Sequence, residues 1–100
     1  MAHFLLFYDL APDYLDRRGD YRAIHLKMAW DAAERGELVL AGPLADPADQ
    51  AVLLFSDAEA AQRFAESDPY VREGLVEAWR VRSWTTVVGD IAATPVRPDA

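Results

Sequence analysis

The sequence predicts a single α+β domain in which two helices cover one face of a four-stranded antiparallel sheet. A chain of 100 residues suits one domain, and its 52% hydrophobic content is enough to bury a core. Apolar segments of strand length and amphipathic segments of helix length follow one another in the order β-α-β-β-α-β. Two right-handed βαβ crossovers joined by a hairpin give this sheet, which is the ferredoxin-like arrangement.

The four predicted strands correspond to short apolar runs bounded by turn residues. Both faces of the first strand are apolar, because Phe4 and Leu6 point to one side while Leu5 points to the other. We expect Gly42 and Pro43 to end the second strand. The predicted strands cover residues 3–9, 37–41, 50–55 and 76–88.

The first helix is predicted over residues 12–35. Pro12 suits the first turn of a helix, because the N–H that proline lacks would have no partner there. Gly36 stands where a left-handed C-terminal cap belongs. The second helix begins with a capping box, in which Ser56 is the N-cap and Glu59 follows three residues later.

The second face of the predicted sheet has no helix to cover it, although the first strand is apolar on that side. An exposed apolar patch of this size is unusual for a monomer. We therefore expect a homodimer in which two sheets pack face to face. Trp30, Trp79 and Trp84 are expected to be core or dimer contacts rather than parts of a cofactor site.

Composition excludes several classes of function. The net charge of −7 at pH 7 argues against non-specific nucleic-acid binding, which depends on lysine and arginine at phosphates. The absence of cysteine excludes disulfides, thiolate zinc sites and cysteine nucleophiles. Two histidines are too few for an all-histidine metal site, although carboxylates could supplement them. We expect neither a metal nor a cofactor.

Location and domain boundaries also follow from the sequence. No segment has the roughly 20 apolar residues of a membrane-spanning helix, and the first residues lack the basic segment of a signal peptide. We expect a cytoplasmic protein without membrane association. Residues 1–88 would form the domain, while residues 89–100, which include two prolines, would form a mobile tail or a swapped arm.

One histidine of the first helix falls on the apolar face of that helix. It is His25, which lies among Tyr21 and Met28, with Arg18 and Arg22 beside it. A core histidine bonded to a backbone carbonyl, with arginines reaching the edge, would explain this pattern. The alternative is a pocket that holds an imidazole for proton transfer and a guanidinium for an anionic group.

Asp68 precedes Pro69 and also has two explanations. It could cap a turn that starts at Pro69. It could instead accept a hydrogen bond from His25, fix the imidazole tautomer and stabilise the imidazolium during proton transfer.

Two further positions could contact a ligand or could serve only the backbone. Asp9 closes the first strand, where end-of-strand side chains often reach a site, and a turn-forming role is the alternative. Gly42 and Pro43 would let a ligand approach the backbone, or would only end a strand.

Together these residues make the chain resemble the YciI-like family, also called the YCII-related domain. The resemblance extends over residues 3–88 and depends on the order and spacing of several short motifs. The motifs are the strand ending in Asp9, then Arg22-Ala23-Ile24-His25-Leu26, Gly36-Glu37-Leu38, Ala41-Gly42-Pro43 and Asp68-Pro69-Tyr70. The resemblance implies a ferredoxin-like dimer, also described as a dimeric α/β barrel, that is related in shape to muconolactone isomerase.

The resemblance also implies a His–Asp pair in an active site, here His25 and Asp68. The residues expected around the substrate are Arg22, Asp9, Gly42, Pro43 and Tyr70. At least one family member resembles a dehydrochlorinase that acts on a chlorinated hydroxyquinone. We therefore expect a lyase or isomerase that applies acid–base chemistry, without a cofactor, to a small hydroxylated cyclic or aromatic molecule. The alternatives are a dimeric small-molecule-binding module without turnover and a structural homodimer.

Overall fold

The computed structural model describes residues 1–99 and contains one sheet with three helices. All neighbouring strands pair antiparallel, in the order β2-β3-β1-β4. The predicted α+β class and four-stranded antiparallel sheet are confirmed. Ala100, the last residue of the predicted tail, lies outside the described residues. The elements are β1 (Phe4–Leu10), α1 (Tyr14–Glu34), β2 (Leu38–Pro43), β3 (Gln50–Phe55), α2 (Ala58–Ser67), α3 (Pro69–Arg72) and β4 (Val76–Ser83).

The core lies between the helices and one side of the sheet. Leu6 and Tyr8 of β1 pair with Leu53 and Ala51 of β3, and all four side chains are buried. Helix α2 packs against them because its small and apolar residues recur at helical spacing. Those residues of α2 are Ala60, Ala61, Phe64 and Ala65. Full burial of each large apolar side chain contributes about 1.5–3 kcal/mol.

The other side of the sheet is apolar in its centre. Leu5, Phe7, Val52 and Leu54 alternate along their strands with the buried residues, and each is half-buried. The guanidinium of Arg80 lies 4.7 Å from the centre of the Phe7 ring. We call this side of the sheet the open face.

Of the three tryptophans expected at core or dimer contacts, Trp30 is 67% exposed and so is not a core residue, and the other two differ in position. Trp79 pairs with the buried Tyr8 and packs against the helix-side core, so it does not contribute to the open face. Trp84 follows β4, and its backbone N–H donates to the His3 carbonyl. Trp84 is 48% exposed.

Strand β2 does not end where the sequence suggested. It continues through Gly42 to Pro43, which pair with Val52 and Ala51 of β3. The predicted end at Ala41 is therefore two residues too early, because Gly42 and Pro43 belong to the strand. Strand β2 is at the edge of the sheet, where a proline is tolerated because no outer strand needs its missing N–H.

The N-cap of α2 is also one residue away from its predicted position. The Asp57 side chain accepts a hydrogen bond from the backbone N–H of Ala60 at 2.9 Å. The Ser56 hydroxyl instead donates to the Gly36 carbonyl at 2.9 Å. The predicted capping box at Ser56 is wrong because that hydroxyl joins the start of α2 to the end of α1.

Gly36 does adopt the left-handed conformation expected after α1, with φ of 80°. Its N–H donates to the Ala33 carbonyl, and that of Glu37 donates to Ala32. These carbonyls in the last turn of α1 thereby gain hydrogen-bond partners, and the chain turns back into β2.

Strand β4 ends at Ser83, five residues before the predicted position 88. The chain then folds back on itself, since the N–H groups of Thr94 and Val96 donate to the carbonyls of Thr86 and Val87. The Thr86 hydroxyl lies 2.7 Å from Nδ1 of the buried His3. The boundary between domain and tail at residue 88 stays a prediction. Within residues 1–99, no helix combines the length and the apolar character needed to cross a membrane.

Candidate active site

The structure brings His25 and Asp68 into direct contact. His25 lies near the middle of α1, and Asp68 links α2 to α3. Nδ1 of His25 is 3.0 Å from Oδ1 and 2.9 Å from Oδ2 of Asp68. The Asp68 side chain is fully buried, whereas 15% of the His25 side chain is exposed. The contact that sequence spacing alone left open is therefore present.

Three donors converge on the buried Asp68 carboxylate. Besides His25, the Tyr8 hydroxyl donates to Oδ2 at 2.7 Å, and the backbone N–H of Tyr70 donates to Oδ1 at 3.0 Å. The bond from Tyr70 is the N-cap of α3, so the capping role and the contact with His25 coexist in one side chain. A buried carboxylate with several donors is held in one orientation.

The imidazole of His25 is also held by two aromatic rings. It stacks on Tyr70, with ring centres 4.0 Å apart and planes 12° apart. Its edge meets Phe64 at 6.0 Å between ring centres. Since an ionised carboxylate only accepts, Nδ1–H donates to Asp68, and this leaves the lone pair on Nε2. No group in residues 1–99 hydrogen-bonds to Nε2, and the imidazole lines a cavity.

The cavity lies between α1 and the strands β1, β2 and β3 and has a volume of about 350 Å³. Its walls are mostly apolar, which is typical of small-molecule sites. Of the residues predicted around the substrate, it contains Arg22, Gly42, Pro43 and Tyr70, together with His25. The other lining residues are Tyr8, Leu10, Tyr14, Arg18, Leu26, Ala29, Trp30, Ala33, Leu38, Val39, Leu40, Ala41, Ala51 and Leu53.

Two tyrosine hydroxyls beside this pair stay protonated at neutral pH. Burial, and then the charge of Asp68, raises the pKa of Tyr8 far above its ordinary value. Burial raises the pKa of Tyr70 to about 12, although the guanidiniums of Arg22 and Arg18 act in the opposite direction. Both tyrosine hydroxyls therefore keep their protons, and can donate hydrogen bonds, well above neutral pH.

Asp9 does not join this site. Its neighbours Tyr8 and Leu10 line the cavity, so strand alternation turns Asp9 to the open face. There it accepts a hydrogen bond from the Gln50 side chain at 2.8 Å and faces Arg80 at 3.5 Å. The hydrogen bond from Gln50, with a smaller effect of Arg80, lowers the pKa of Asp9. The expectation that Asp9 contacts the substrate is corrected by this placement.

Tyr8 is the main site residue that sequence reasoning missed. It shares a strand face with the buried Leu6, and it is 1% exposed. A tyrosine hydroxyl at such a position needs a polar partner. That requirement was a usable signal, but strand periodicity alone treated Tyr8 as one more apolar residue.

No group of three or more histidine, aspartate or glutamate side chains within residues 1–99 is placed to hold a metal ion. His25 and Asp68 are hydrogen-bonded to each other, and Asp68 also accepts a hydrogen bond from Tyr8. The lining residues His25, Arg18 and Arg22 offer an acid–base group and two anion-binding groups.

Comparison with known proteins identifies the family. The sequence pattern of the YCII-related domain matches residues 1–85. The chain belongs to the YCII-related domain family. This confirms the resemblance drawn from the motifs around His25 and Asp68. No curated protein is similar enough in sequence to count as a relative.

Two solved structures are similar to this chain, and the first of them shows the same fold. One is 5-chloro-2-hydroxyhydroquinone dehydrochlorinase from Burkholderia phenoliruptrix AC1100, in complex with 2,5-dihydroxybenzoquinone. It is 23% identical, with a TM-score of 0.68, and the match covers 84% of this chain and 94% of that chain. A protein from Agrobacterium tumefaciens is 19% identical, with a TM-score of 0.48, and the match covers 93% of this chain and 98% of that chain.

Proposed function

We propose that this YCII-related protein is a cofactor-independent enzyme in which His25 is the general base and acid. The substrate is a small hydroxylated cyclic or aromatic molecule, and the reaction is an elimination or an isomerisation. One observation carries this proposal. Nδ1 of His25 is bound to the buried Asp68, while the ring lines a cavity of about 350 Å³ with Nε2 free of any partner in residues 1–99.

The proposed chemistry begins with proton abstraction. Nε2 of His25 takes a proton from a carbon of the substrate, and the electron pair of that C–H bond forms a new double bond. In an elimination, a leaving group such as chloride departs with its own electron pair. In an isomerisation, the imidazolium returns the proton to another carbon. Asp68 stabilises the imidazolium and keeps the tautomer with the proton on Nδ1.

The structural neighbour suggests which substrates to test first. It is a dehydrochlorinase of a chlorinated hydroxyhydroquinone. At 23% identity the likeness is one of fold, so the substrate class for this chain is a proposal that rests on its own cavity. Arg22, which lines the cavity, is the proposed holder of an anionic oxygen of the substrate.

We also propose that two copies of the chain pair through their open faces, as ferredoxin-like halves of a dimeric α/β barrel. The half-buried Leu5, Phe7, Val52 and Leu54 support this arrangement, because no helix of residues 1–99 covers them and they are contiguous across β1 and β3. Such a sheet-to-sheet contact would leave the His25 side of the sheet available to a small ligand.

The decisive experiment compares His25→Ala and Asp68→Asn with the wild type on a panel of chlorinated hydroxyquinones and enol-lactones. Loss of general acid–base help lowers kcat by about 10²–10⁴-fold, so His25→Ala should show that loss. Lys27→Gln is the matched control, since Lys27 lies on α1 with its side chain 78% exposed and outside the cavity.

Turnover that is unchanged in His25→Ala would eliminate the acid–base role. Binding of panel molecules without any product over long incubation would instead identify the alternative, a small-molecule-binding module. Circular dichroism of each variant establishes that a lost activity does not reflect a lost fold.

A further inference from the structure

Two arginines of α1 line the cavity, and neither has a carboxylate beside it. Arg18 and Arg22 are one helical turn apart, and both belong to the cavity wall. No aspartate or glutamate lines this cavity. No ion pair within residues 1–99 involves either arginine. The chain as a whole has 17 acidic and 10 basic residues, so a cavity with only positive side-chain charge is an exception within it.

Helix spacing explains why both guanidiniums stay without an acidic neighbour. On a helix, side chains three and four positions apart are neighbours. Around both arginines these positions hold uncharged residues, His25, or the other arginine. For Arg18 they are Tyr14, Leu15, Tyr21 and Arg22, and for Arg22 they are Arg18, Gly19, His25 and Leu26.

The other cations of α1 are arranged differently. Arg17 lies 3.9 Å from Asp13 and also donates to the Glu73 carbonyl at 2.7 Å. Lys27 lies 3.1 Å from Asp31. The cations of α1 outside the cavity are therefore paired with carboxylates, while the two inside it are not. Two like charges one turn apart repel each other, and an anion between them would remove that repulsion.

We infer that the cavity selects small flat ring molecules that carry two anionic oxygens, one held by Arg18 and the other by Arg22. The inference names the substrate class of the proposed enzyme, and it rests on that proposal for its catalytic meaning. Guanidinium groups bind anionic oxygens through paired N–H donors. The apolar walls formed by Ala29, Leu38 and Leu53 suit the ring of such a ligand.

The position of Arg18 supports a role distinct from that of Arg22. Its guanidinium carbon lies 5.7 Å from the centre of the Tyr14 ring, which is itself buried in the cavity wall. Arg18 is half-buried, whereas Arg22 is exposed at the same wall. A ligand that contacts both must reach two side chains one helical turn apart, which favours anionic oxygens at separate positions of a ring.

Binding measurements test this selection without any need for turnover. The probe is 2,5-dihydroxybenzoquinone, a flat ring that is a dianion at neutral pH, and the matched neutral ligand is 2,5-dimethoxybenzoquinone. Isothermal titration calorimetry should show binding of the dianion that weakens at high salt. Arg18→Gln and Arg22→Gln should each weaken it by about tenfold to 100-fold. Lys27→Gln, which removes one positive charge from α1 outside the cavity, should leave it unchanged.

Three results would overturn the inference. They are equal affinity for the dianion and the neutral ligand, undiminished affinity in the Arg18→Gln/Arg22→Gln double variant, and no binding of the dianion to the wild type at millimolar concentration. Failure of the proposed enzyme is distinguishable from these outcomes. Unchanged turnover in His25→Ala would contradict the acid–base function. If dianion binding still depended on both arginines in that case, the selection for anionic ligands would remain supported.

Discussion

At the scale of single residues, the Asp68 carboxylate depends on the Tyr8 hydroxyl for one of its three hydrogen bonds. The two side chains meet at 2.7 Å, and neither is accessible to water that could replace the bond. Removal of one donor from a buried charged acceptor costs more than an ordinary hydrogen bond contributes. Tyr8 is therefore a positioning residue for the pair formed by His25 and Asp68.

We predict that Tyr8→Phe lowers the free energy of unfolding by about 1.5–3 kcal/mol, the range for hydrogen bonds to charged groups. Urea denaturation measures this change. Tyr21→Phe is the control, because Tyr21 is a half-buried tyrosine of α1 whose hydroxyl has no hydrogen bond within residues 1–99. A Tyr8→Phe variant as stable as the control would contradict the structural role of this bond.

Prediction from sequence succeeded at residues whose role follows from local periodicity. His25 was found because helical rotation placed it among apolar side chains, and its cavity position agrees with that rotation. Its contact with Asp68 could not be derived, because 43 positions separate the two residues and the distance depends on how α3 sits against α1. Asp9 was misplaced because its role was inferred from the end of a strand rather than from the face of the strand.

At the scale of elements, the start of α2 provides a direct comparison between two neighbouring capping candidates. The structure assigns the cap to Asp57, whereas the S-x-x-E pattern of the sequence favoured Ser56. Sequence alone could not separate them, because the choice depends on which side chain faces Gly36 of the preceding turn.

We predict that Asp57→Ala destabilises the protein by about 0.5–2 kcal/mol, the usual cost of losing an N-cap. Ser56→Ala should cost less, because it removes only a solvent-accessible hydrogen bond to the Gly36 carbonyl. Thermal or urea unfolding of both variants decides the order. A larger effect for Ser56→Ala would show that the helix begins one residue earlier than the structure indicates.

Strand bounds were predicted most accurately where turn residues flank the apolar run at both ends. Strand β3 has the predicted bounds, Gln50–Phe55. Strand β2 extends beyond its prediction through Gly42 and Pro43, because the rule against proline applies to central strands and the sequence does not reveal which strand is at an edge. Pairing order is a property of the folded sheet, so this error was unavoidable.

At the scale of the whole molecule, the buried tyrosines make stability depend on alkaline pH. The pKa of Tyr70 is raised to about 12, and that of Tyr8 is raised as well, whereas tyrosines of the unfolded chain ionise near their ordinary value of about 10. Above pH ~10 the unfolded chain loses these protons while the folded chain keeps them. Stability contributed by the neutral hydroxyls is complete below that pH and decreases as the pH rises.

We predict a decrease of up to about 1.4 kcal/mol per pH unit for each such tyrosine between its unfolded and its folded pKa. Urea unfolding at a series of alkaline pH values measures the slope. The Tyr8→Phe variant lacks one of the two groups, so its slope should be shallower than that of the wild type. Parallel slopes would show that Tyr8 does not contribute to the alkaline loss.

The open face allows a prediction about assembly. If a second copy covers it, sedimentation velocity at micromolar concentration should show a species of twice the chain mass of 11.2 kDa. Leu54→Glu, in the centre of the open face, should shift the protein to monomer because a charge would be buried in the contact. Ile24→Glu, on the exposed surface of α1, should remain dimeric. A monomeric wild type would contradict the pairing.

Asp68 serves two purposes at once, since its carboxylate holds the imidazole of His25 and caps the helix that follows it. One carboxyl group therefore fixes both the start of α3 and the orientation of the imidazole. Heat or denaturant that loosens the short helix α3 would also release the imidazole, so inactivation should track this local opening rather than wait for global unfolding. A replacement of Asp68 that restored the cap alone would still lose the hydrogen bonds to His25 and Tyr8.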